Sequence, residues 1–210
     1  MKVHVVDYGV GNLHSIVRAV EASGGEAVLT DSPKELARAD RMLLPGVGAF
    51  EPCARRLQES GLVEPVKEFV RSGKPFLGIC VGMQLLFDES REFGVHQGLG
   101  LIPGVVDAIP PLDAAGERKV PNIGWRPLRS PGEGSWDGTL MEGLEPGVSS
   151  AYFVHTYNCH PADAGHRLAD VDYVGYQICA AVSKDNITGF QCHPERSGLV
   201  GLRIMANFLR

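Results

Sequence analysis

The sequence contains a cysteine, Cys80, with Gly78 two residues before it and Gly82 two residues after it. The short apolar run at 74–77 predicts a buried strand before this cysteine, and residues 85–89 predict a helix after it. A nucleophile between a strand and a helix, flanked by glycines, is typical of the sharp turn that lifts a side chain above a parallel sheet. Because the positive end of the helix dipole favours the thiolate, the pattern indicates a cysteine nucleophile.

A candidate base and a carboxylate that could orient it lie near the other end of the chain, at His193 and Glu195. Residues two apart at a strand end can point the same way, so Glu195 can accept a hydrogen bond from Nδ1 of His193. Nε2 is then left to take the Cys80 proton and later to protonate a leaving amine. Cys192 alternates to the opposite face and is a poor nucleophile candidate. The set predicts amide cleavage through a thioester.

Thioester chemistry also needs hydrogen-bond donors for the oxyanion that forms on the attacked carbonyl group. The backbone N–H of Val81, directly after the nucleophile, is one candidate donor. A second is the backbone N–H of Val47, in the glycine-rich turn at 45–48 that follows a predicted strand at 41–44. Because the flanking glycines let a peptide unit rotate without side-chain cost, this turn is predicted to complete the oxyanion hole.

These side chains must be positioned by elements that alternate between strand and helix in the first half of the chain. The apolar pattern predicts strands at 2–7, 26–30, 41–44 and 74–77, with helices between them. Such alternation is typical of a parallel, doubly wound sheet, in which sites lie beyond the carboxyl ends of the strands. Both glycine-rich turns are expected at that edge.

From about residue 94 glycine and proline become frequent, and the predicted strands are short and separated by turns. We expect antiparallel strands added to the parallel sheet in this C-terminal half. They are predicted at 105–109, 120–125, 151–157, 174–182 and 187–191. A closing helix is predicted at 198–209, with Leu199, Leu202 and Met205 on one apolar face. Residues 1–210 are predicted to form a single domain.

The composition argues against several function classes. The net charge is −5 and basic residues form no tract, so nucleic-acid binding is not expected. No apolar run approaches about 18 residues, so no membrane span is predicted. The five cysteines lack paired spacing, which favours free thiols in a reducing cytoplasm over a disulfide framework. Because the cysteines and histidines match no zinc motif, we expect neither a metal nor another cofactor.

Three motifs together strongly resemble the class I, or triad, glutamine amidotransferases. They are the turn PGVG at 45–48, the elbow GICVGMQ at 78–84 and the strand end GFQCHPE at 189–195. The resemblance implies a three-layer α/β fold with a mainly parallel central sheet and added antiparallel strands. It also implies that Cys80 is the nucleophile, His193 the general base and acid, and Glu195 the residue that orients the histidine.

Further stretches extend the resemblance over nearly the whole chain. The segments YGVGNL at 8–13, PNIGW at 121–125 and YFVHTY at 152–157 look like those of the glutaminase subunits of imidazole glycerol phosphate synthases. This likeness implies a subunit that hydrolyses glutamine to glutamate and ammonia. The ammonia would pass to a (β/α)8-barrel cyclase subunit (HisF-type) in a heterodimer. That cyclase makes imidazole glycerol phosphate and an aminoimidazole carboxamide ribotide (AICAR) in histidine biosynthesis.

The resemblance also implies roles for residues around the nucleophile and on the surface. The glutamine-binding residues would be Gly48, Gln84, His155, Thr156 and Tyr157. The residues facing the cyclase would be Asn12, Asn122, Trp125, Tyr152 and Arg196. Asn122 stands where relatives commonly carry histidine, and Arg196 where they often carry lysine. These departures concern the implied interface and leave the triad unchanged.

The turn at 45–48 leads to a hypothesis about coupling between the two subunits. In the isolated subunit the oxyanion donor would point away from the nucleophile, so glutamine turnover should be slow. Docking of the cyclase with its ligand would favour the inward orientation, which is a shift between two populations of the turn.

Other functions compete with this interpretation. One is the glutaminase subunit of another class I amidotransferase, such as the vitamin B6 glutaminase, although that family normally shows Pro-Gly-Gly where Val47 intervenes here. A second is a free-standing thiol hydrolase acting on γ-glutamyl peptides, which would need no partner. A third is a catalytically silent binding module, against which the intact Cys–His–Glu set argues.

Overall fold

The structure is a computed structural model that describes residues 1–111, 118–132 and 134–210. Its strands are β1 (Lys2–Val6), β2 (Glu26–Thr30), β3 (Met42–Leu44), β4 (Phe76–Ile79), β5 (Phe87–Ser90), β6 (His96–Gln97), β7 (Ile102–Ala108), β8 (Asn122–Pro127), β9 (Ser150–His155), β10 (Tyr157–Pro161), β11 (Arg167–Tyr173), β12 (Tyr176–Lys184) and β13 (Ile187–Phe190). Its helices are α1 (Leu13–Ala22), α2 (Pro33–Leu36), α3 (Phe50–Glu59), α4 (Val63–Arg71), α5 (Val81–Gln84) and α6 (Gly198–Phe208), with 3₁₀ turns at Ala164–His166 and Pro194–Arg196.

A seven-stranded sheet in the order β11-β12-β13-β4-β3-β1-β2 forms the centre of the molecule. Strands β2, β1, β3, β4 and β13 are parallel to one another, whereas β12 and β11 add antiparallel beyond β13. Every residue of β3, β4 and β13 is buried, as expected for parallel strands covered on both faces. This confirms the predicted mainly parallel sheet with antiparallel strands in the C-terminal half.

Three neighbouring strands bring distant parts of the chain to one edge of this sheet. Leu44 of β3 and Gly189 of β13 both stand opposite Gly78 of β4, so the three strands end at nearly the same level. The segments that follow them begin at Pro45, Cys80 and Gln191. The parallel register therefore brings the three predicted motifs together beyond the carboxyl ends of the strands.

Several C-terminal strands form two smaller sheets that the sequence analysis did not foresee. Strands β10, β7, β5 and β6 form a four-stranded sheet, and β8 and β9 form a two-stranded ribbon. The strand predicted at 151–157 is therefore wrong as one element, because the chain leaves β9 after His155 and enters another sheet with β10. The prediction at 174–182 missed β11, which a turn at Val174 and Gly175, both with positive φ, separates from β12.

The helix predicted at 85–89 is also wrong. Helix α5 ends at Gln84, and Phe87–Ser90 form β5. The carbonyls of Leu85 and Leu86 accept hydrogen bonds from the N–H groups of Leu99 and Ile102, not from residues one helical turn ahead. A short apolar run is buried in either conformation, so periodicity alone could not decide between them.

The closing helix is confirmed, but its predicted buried face is only partly right. Met205 is buried, as is Ile204 beside it, whereas Leu199 is 84% exposed. Leu199 lies in the first turn of α6, directly after Gly198, and its side chain is left at the surface. An exposed leucine at this point is therefore a surface feature close to the carboxyl edge of the sheet.

Candidate active site

Cys80 lies in a strained turn between β4 and α5, with φ 55° and ψ −114°. Residues other than glycine rarely adopt a positive φ, and such strain is concentrated at functional sites. Glycine is required on both sides of it. A Cβ at Gly78 would lie 2.7 Å from the carbonyl oxygen of Gly82, and a Cβ at Gly82 would overlap the carbonyl of Leu44. The Cys80 N–H donates to the Phe190 carbonyl at 2.7 Å, which ties the turn to β13.

His193 and Glu195 lie just beyond β13, and both side chains are almost completely buried. Nδ1 of His193 donates to Oε1 of Glu195 at 2.8 Å. Burial by itself would lower the pKa of His193, but interactions with Cys80 and Glu195 outweigh it and raise the pKa to about 10. Nε2, on the other side of the ring, has no hydrogen-bond partner among the described residues. Both neighbours therefore favour the protonated form of the ring.

Two buried glutamines connect the nucleophile to the end of β13. Nε2 of Gln84, at the end of α5, donates to Oε1 of Gln191 at 3.0 Å. Nε2 of Gln191 in turn points to Sγ of Cys80 at 3.8 Å. The two amides therefore form a hydrogen-bonded chain that ends at the nucleophile. The sequence analysis did not single out Gln191, because a polar residue inside a strand-end motif carries no chemical signature of its own.

These side chains open into a cavity of about 410 Å³, a common size for a site that takes a small molecule. Its lining includes all the residues predicted for catalysis, the oxyanion hole and glutamine binding: Cys80, His193, Glu195, Val47, Val81, Gly48, Gln84, His155, Thr156 and Tyr157. A larger cavity of about 580 Å³ lies between α3 and β6. The described residues of its lining include no nucleophile paired with a base, whereas the smaller cavity holds Cys80 with His193.

Glu92 is a further carboxylate in the lining of the smaller cavity, and sequence reasoning missed it. The residue is buried, and its Oε2 accepts a hydrogen bond from the backbone N–H of Phe50 at 2.6 Å. That bond holds the carboxylate at the cavity wall, where it can attract a positively charged group. The wrong helix at 85–89 hid this residue, because it concealed the strand end at Ser90 from which Glu92 reaches the site.

His155 is held in the cavity wall as a neutral imidazole. Burial lowers its pKa to about 4. Its Nδ1 lies 2.8 Å from the carbonyl oxygen of Tyr157 and its Nε2 lies 3.0 Å from Nδ2 of Asn122. Oδ1 of Asn122 accepts from Nε of Arg126 at 3.0 Å, which orients the amide so that Nδ2 donates to Nε2. The proton of the imidazole is therefore on Nδ1, bonded to the Tyr157 carbonyl.

This network corrects the interface role expected for Asn122. The residue is completely buried, and its side chain is directed inward to His155. The other residues expected at the interface lie on the surface or close to it. Trp125 is half exposed, with its ring edge-on to Tyr152 at 6.2 Å between centres. The guanidinium of Arg196 lies 4.9 Å from the centre of the Tyr152 ring, and Asn12 is exposed at the start of α1.

The turn at 45–48 is held by buried side chains from two other elements. The hydroxyl of Tyr8 donates to the Pro45 carbonyl at 2.7 Å, and Sγ of Cys53 lies 3.3 Å from the Val47 carbonyl oxygen. Burial raises the pKa of Cys53 to about 11, so this thiol keeps its proton and donates it. Gly48 has a φ of +91°, which its lack of a side chain allows. The carbonyls on each side of Gly46 are therefore fixed.

Comparison with known sequences relates the chain to one family. The family model "Glutamine amidotransferase class-I" matches residues 4–210. The subunit "Imidazole glycerol phosphate synthase subunit HisH 1" of Legionella pneumophila (strain Lens) is 47% identical over 210 residues, which cover 99% of this chain and 98% of the relative. "Imidazole glycerol phosphate synthase subunit HisH" of Syntrophotalea carbinolica is 48% identical over 206 residues, 97% of each chain.

Solved structures give the same fold at low sequence identity. A structure described as "Crystal structure of glutamine amidotransferase" superimposes with a TM-score of 0.74 at 20% identity, and covers 99% of this chain and 96% of that one. A second, "Structure of PurLQS from Thermotoga maritima", has a TM-score of 0.72 at 21% identity over 99% of this chain and 97% of that one. These likenesses concern the fold.

The described residues contain neither a helix suited to a membrane nor a cluster of metal ligands. Across residues 1–111, 118–132 and 134–210, no helix combines the length and apolar character needed to cross a membrane. Within the same ranges, no three His, Cys, Asp or Glu side chains are grouped as metal ligands would be.

Proposed function

The chain belongs to the class I glutamine amidotransferase family, and from that membership we propose that it is the glutaminase subunit of an imidazole glycerol phosphate synthase. The observation that carries the proposal is identity of about 47% over nearly its full length with subunits of that name. The catalytic residues that the sequence predicts are Cys80, His193 and Glu195. All three line one cavity, whose size suits a small-molecule substrate. In this proposal the chain supplies ammonia for histidine biosynthesis.

In the first half of the proposed reaction, the Cys80 thiolate attacks the side-chain amide carbon of glutamine. A C–S bond forms, and the carbonyl oxygen takes the negative charge as a tetrahedral intermediate. The imidazolium of His193 gives a proton to the amide nitrogen, the C–N bond breaks, and ammonia leaves a γ-glutamyl thioester. Glu195 stabilises the imidazolium from the other side of the ring and holds its orientation.

In the second half, the now neutral imidazole accepts a proton from water as the water oxygen attacks the thioester. The C–S bond breaks, glutamate leaves, and the proton returns the ring to the imidazolium form beside a thiolate. Both tetrahedral intermediates need donors to the oxyanion, which we assign to the backbone N–H groups of Val81 and Val47. Each such donor is worth roughly 100- to 1,000-fold in rate.

Glutamine recognition is assigned to the wall of the same cavity. The buried carboxylate of Glu92 is placed to bind the α-ammonium group, since it is a negative group with one oxygen held by the Phe50 N–H. Gln84, fixed by Gln191, can meet the α-substituents from the floor of the cavity. Backbone groups at Gly48 and at residues 155–157 complete the pocket.

The partner follows from the relatives, whose names describe them as subunits of a synthase. The rim of the cavity supports docking there, because exposed apolar side chains surround it. They are Val47 and Val154 in the cavity lining and, on the adjoining ribbon β8–β9, Ile123 and Trp125. Such a patch beside an active site suits a macromolecular partner. We assign this face, together with Asn12, Tyr152 and Arg196, to a (β/α)8-barrel cyclase of the HisF type, which would receive the ammonia directly.

The five cysteines are free thiols, which is consistent with a cytoplasmic enzyme.

The decisive experiment measures glutamate release by the purified chain, alone and with a barrel cyclase carrying its ribonucleotide ligand. We expect slow turnover alone, strong stimulation by the cyclase and no turnover by Cys80→Ala. Equal rates with and without the cyclase would instead indicate a free-standing hydrolase. Stimulation by the partner of a different amidotransferase, and not by the cyclase, would indicate another synthase.

A further inference from the structure

Ser197 occupies the N-cap position of α6 but does not cap the helix. A serine at this position normally accepts a hydrogen bond from a backbone N–H in the first turn. Ser197 makes no such bond, although it is buried directly before Gly198. A local preference left unfulfilled in this way is expected where a side chain serves the active site.

The hydroxyl of Ser197 instead joins two main-chain groups from different elements. It donates to the carbonyl of His193 at 2.7 Å and accepts from the N–H of Tyr152 at 3.0 Å. A hydroxyl has one proton, so the carbonyl must receive it and the N–H must be the donor to the oxygen. The N–H of His193 closes the ring by donating to the Tyr152 carbonyl at 3.0 Å.

These three hydrogen bonds, rather than those of the central sheet, hold the main chain of His193 in place. Strand β13 ends at Phe190, three residues before the histidine, so no ladder bond of the seven-stranded sheet reaches it. The N–H of His193 is bonded directly to β9 at Tyr152, and its carbonyl, which also accepts from the Arg196 N–H at 2.9 Å, is linked to β9 through the Ser197 hydroxyl. The position of the imidazole relative to Cys80 therefore depends on the ribbon β8–β9, whose outer face carries Trp125 and the Tyr152 ring.

We propose that Ser197 is a positioning residue for the reaction: its hydroxyl locks the main chain of His193 to β9 and so holds the imidazole against the Cys80 sulfur. The inference rests on the proposed function only for its turnover assay. Ser197 touches neither the substrate cavity nor the sulfur, and it acts through the histidine. Without the hydroxyl, the His193 carbonyl and the Tyr152 N–H lose a shared partner and the histidine shifts.

The first test measures glutamine turnover by the complex with the cyclase, for the wild type, Ser197→Ala, Ser197→Thr and Ser72→Ala. Ser72 is the matched control, because its hydroxyl also donates to a backbone carbonyl but at the remote end of α4. We expect Ser197→Ala to lose about 10- to 100-fold in kcat, the scale of a misplacement near 1 Å, with KM changed less than about threefold. Ser197→Thr and Ser72→Ala should retain most of the activity.

The second test needs neither glutamine nor the cyclase. It follows alkylation of Cys80 by iodoacetamide across pH, read at the Cys80 peptide by mass spectrometry. A displaced imidazolium stabilises the thiolate less, so Ser197→Ala should react several-fold more slowly near pH 7, whereas Ser197→Thr should react like the wild type. A wild type with no glutaminase activity would remove the proposed function and leave this readout intact.

Ser197→Ala with kcat and Cys80 alkylation both within twofold of the wild type would overturn the proposal. The thermal unfolding midpoint of each variant is measured alongside. If Ser197→Ala does not fold, the threonine variant decides the question. A folded Ser197→Thr with wild-type kcat and alkylation supports the bridging role, and a folded one that has lost tenfold in both contradicts it.

Discussion

The carboxylate of Glu195 lies 2.8 Å from Nδ1 of His193, while its other oxygen, Oε2, is buried without a hydrogen-bond partner among the described residues. The hydrogen bond to the imidazole is therefore the main contact of the Glu195 carboxylate among the described residues. Because Glu195 is one of the two groups that raise the pKa of His193, its charge determines how far the imidazolium persists as pH rises. The pH dependence of the reaction is a direct test of this pairing.

Replacing Glu195 by glutamine should move the basic limb of the pH profile of kcat/KM to lower pH. The active form is the thiolate with the imidazolium, which is lost as pH rises through the pKa of His193. Removing the negative charge lowers that pKa, so we expect a shift of roughly one to three pH units, with a fall in kcat from the disturbed ring orientation. Glu89→Gln, which removes a carboxylate outside the cavity lining, is the control and should leave the limb in place.

Glu92→Gln should raise KM for glutamine by about 10- to 100-fold and change kcat little. The amide oxygen can still accept the hydrogen bond from Phe50, but the charge that attracts an α-ammonium group is gone. Steady-state kinetics of the complex measure both constants. A substrate analogue without the amino group should bind the variant and the wild type equally, and a larger loss in kcat than in KM would contradict the assigned role.

Cys80→Gly should be more stable than Cys80→Ala, although both are inactive. The backbone at position 80 has φ 55°, which strains any residue with a Cβ. Glycine relieves about 1 kcal/mol of this strain, so the thermal midpoint should be about 2–4 °C higher than that of the alanine variant. The same two substitutions at Cys179, a buried cysteine of β12 whose φ is not positive, should show the opposite order of stability.

Trp125→Ala should weaken binding of the cyclase by about tenfold or more and leave the slow turnover of the isolated chain unchanged. Trp125 is large, half exposed and packed edge-on to Tyr152, which are properties of an interface hot spot. Val95→Ala, at an exposed apolar residue beside the larger cavity, is the control. Equal affinity of the two variants for the cyclase would place the interface elsewhere. Titration calorimetry or fluorescence of the complex gives the dissociation constants.

The parallel core and the reactive turn could be predicted because their signals are local. Glycines at fixed distances from Cys80, and a histidine with a carboxylate two residues on, restrict the backbone and the chemistry within a few residues. The alternation of strands and helices then determines the edge at which these segments meet. No long-range information was needed for either step.

The errors arose where long-range packing decides the conformation. The apolar run after Gln84 is buried as a strand because residues 98–102 supply its hydrogen bonds, which no local pattern reveals. Asn122 is turned inward because His155 stands directly opposite it on β9, a pairing known only once the register is known. Leu199 follows helical spacing but its side chain is exposed. The acidic group of Glu92 reaches the cavity only through the missed strand β5.

The turn at 45–48 is pinned at both ends, by Tyr8 and Cys53 on the carbonyls of Pro45 and Val47 and by Glu92 on the N–H of Phe50. Large excursions of this segment would break three buried contacts at once, so only the few peptide planes between the pins are free to rotate. When a partner binds, this segment can therefore respond only by rotation of one or two peptide planes, with the chain on either side held in place. The free and assembled subunits should accordingly superimpose throughout the sheet and differ at residues 46–49.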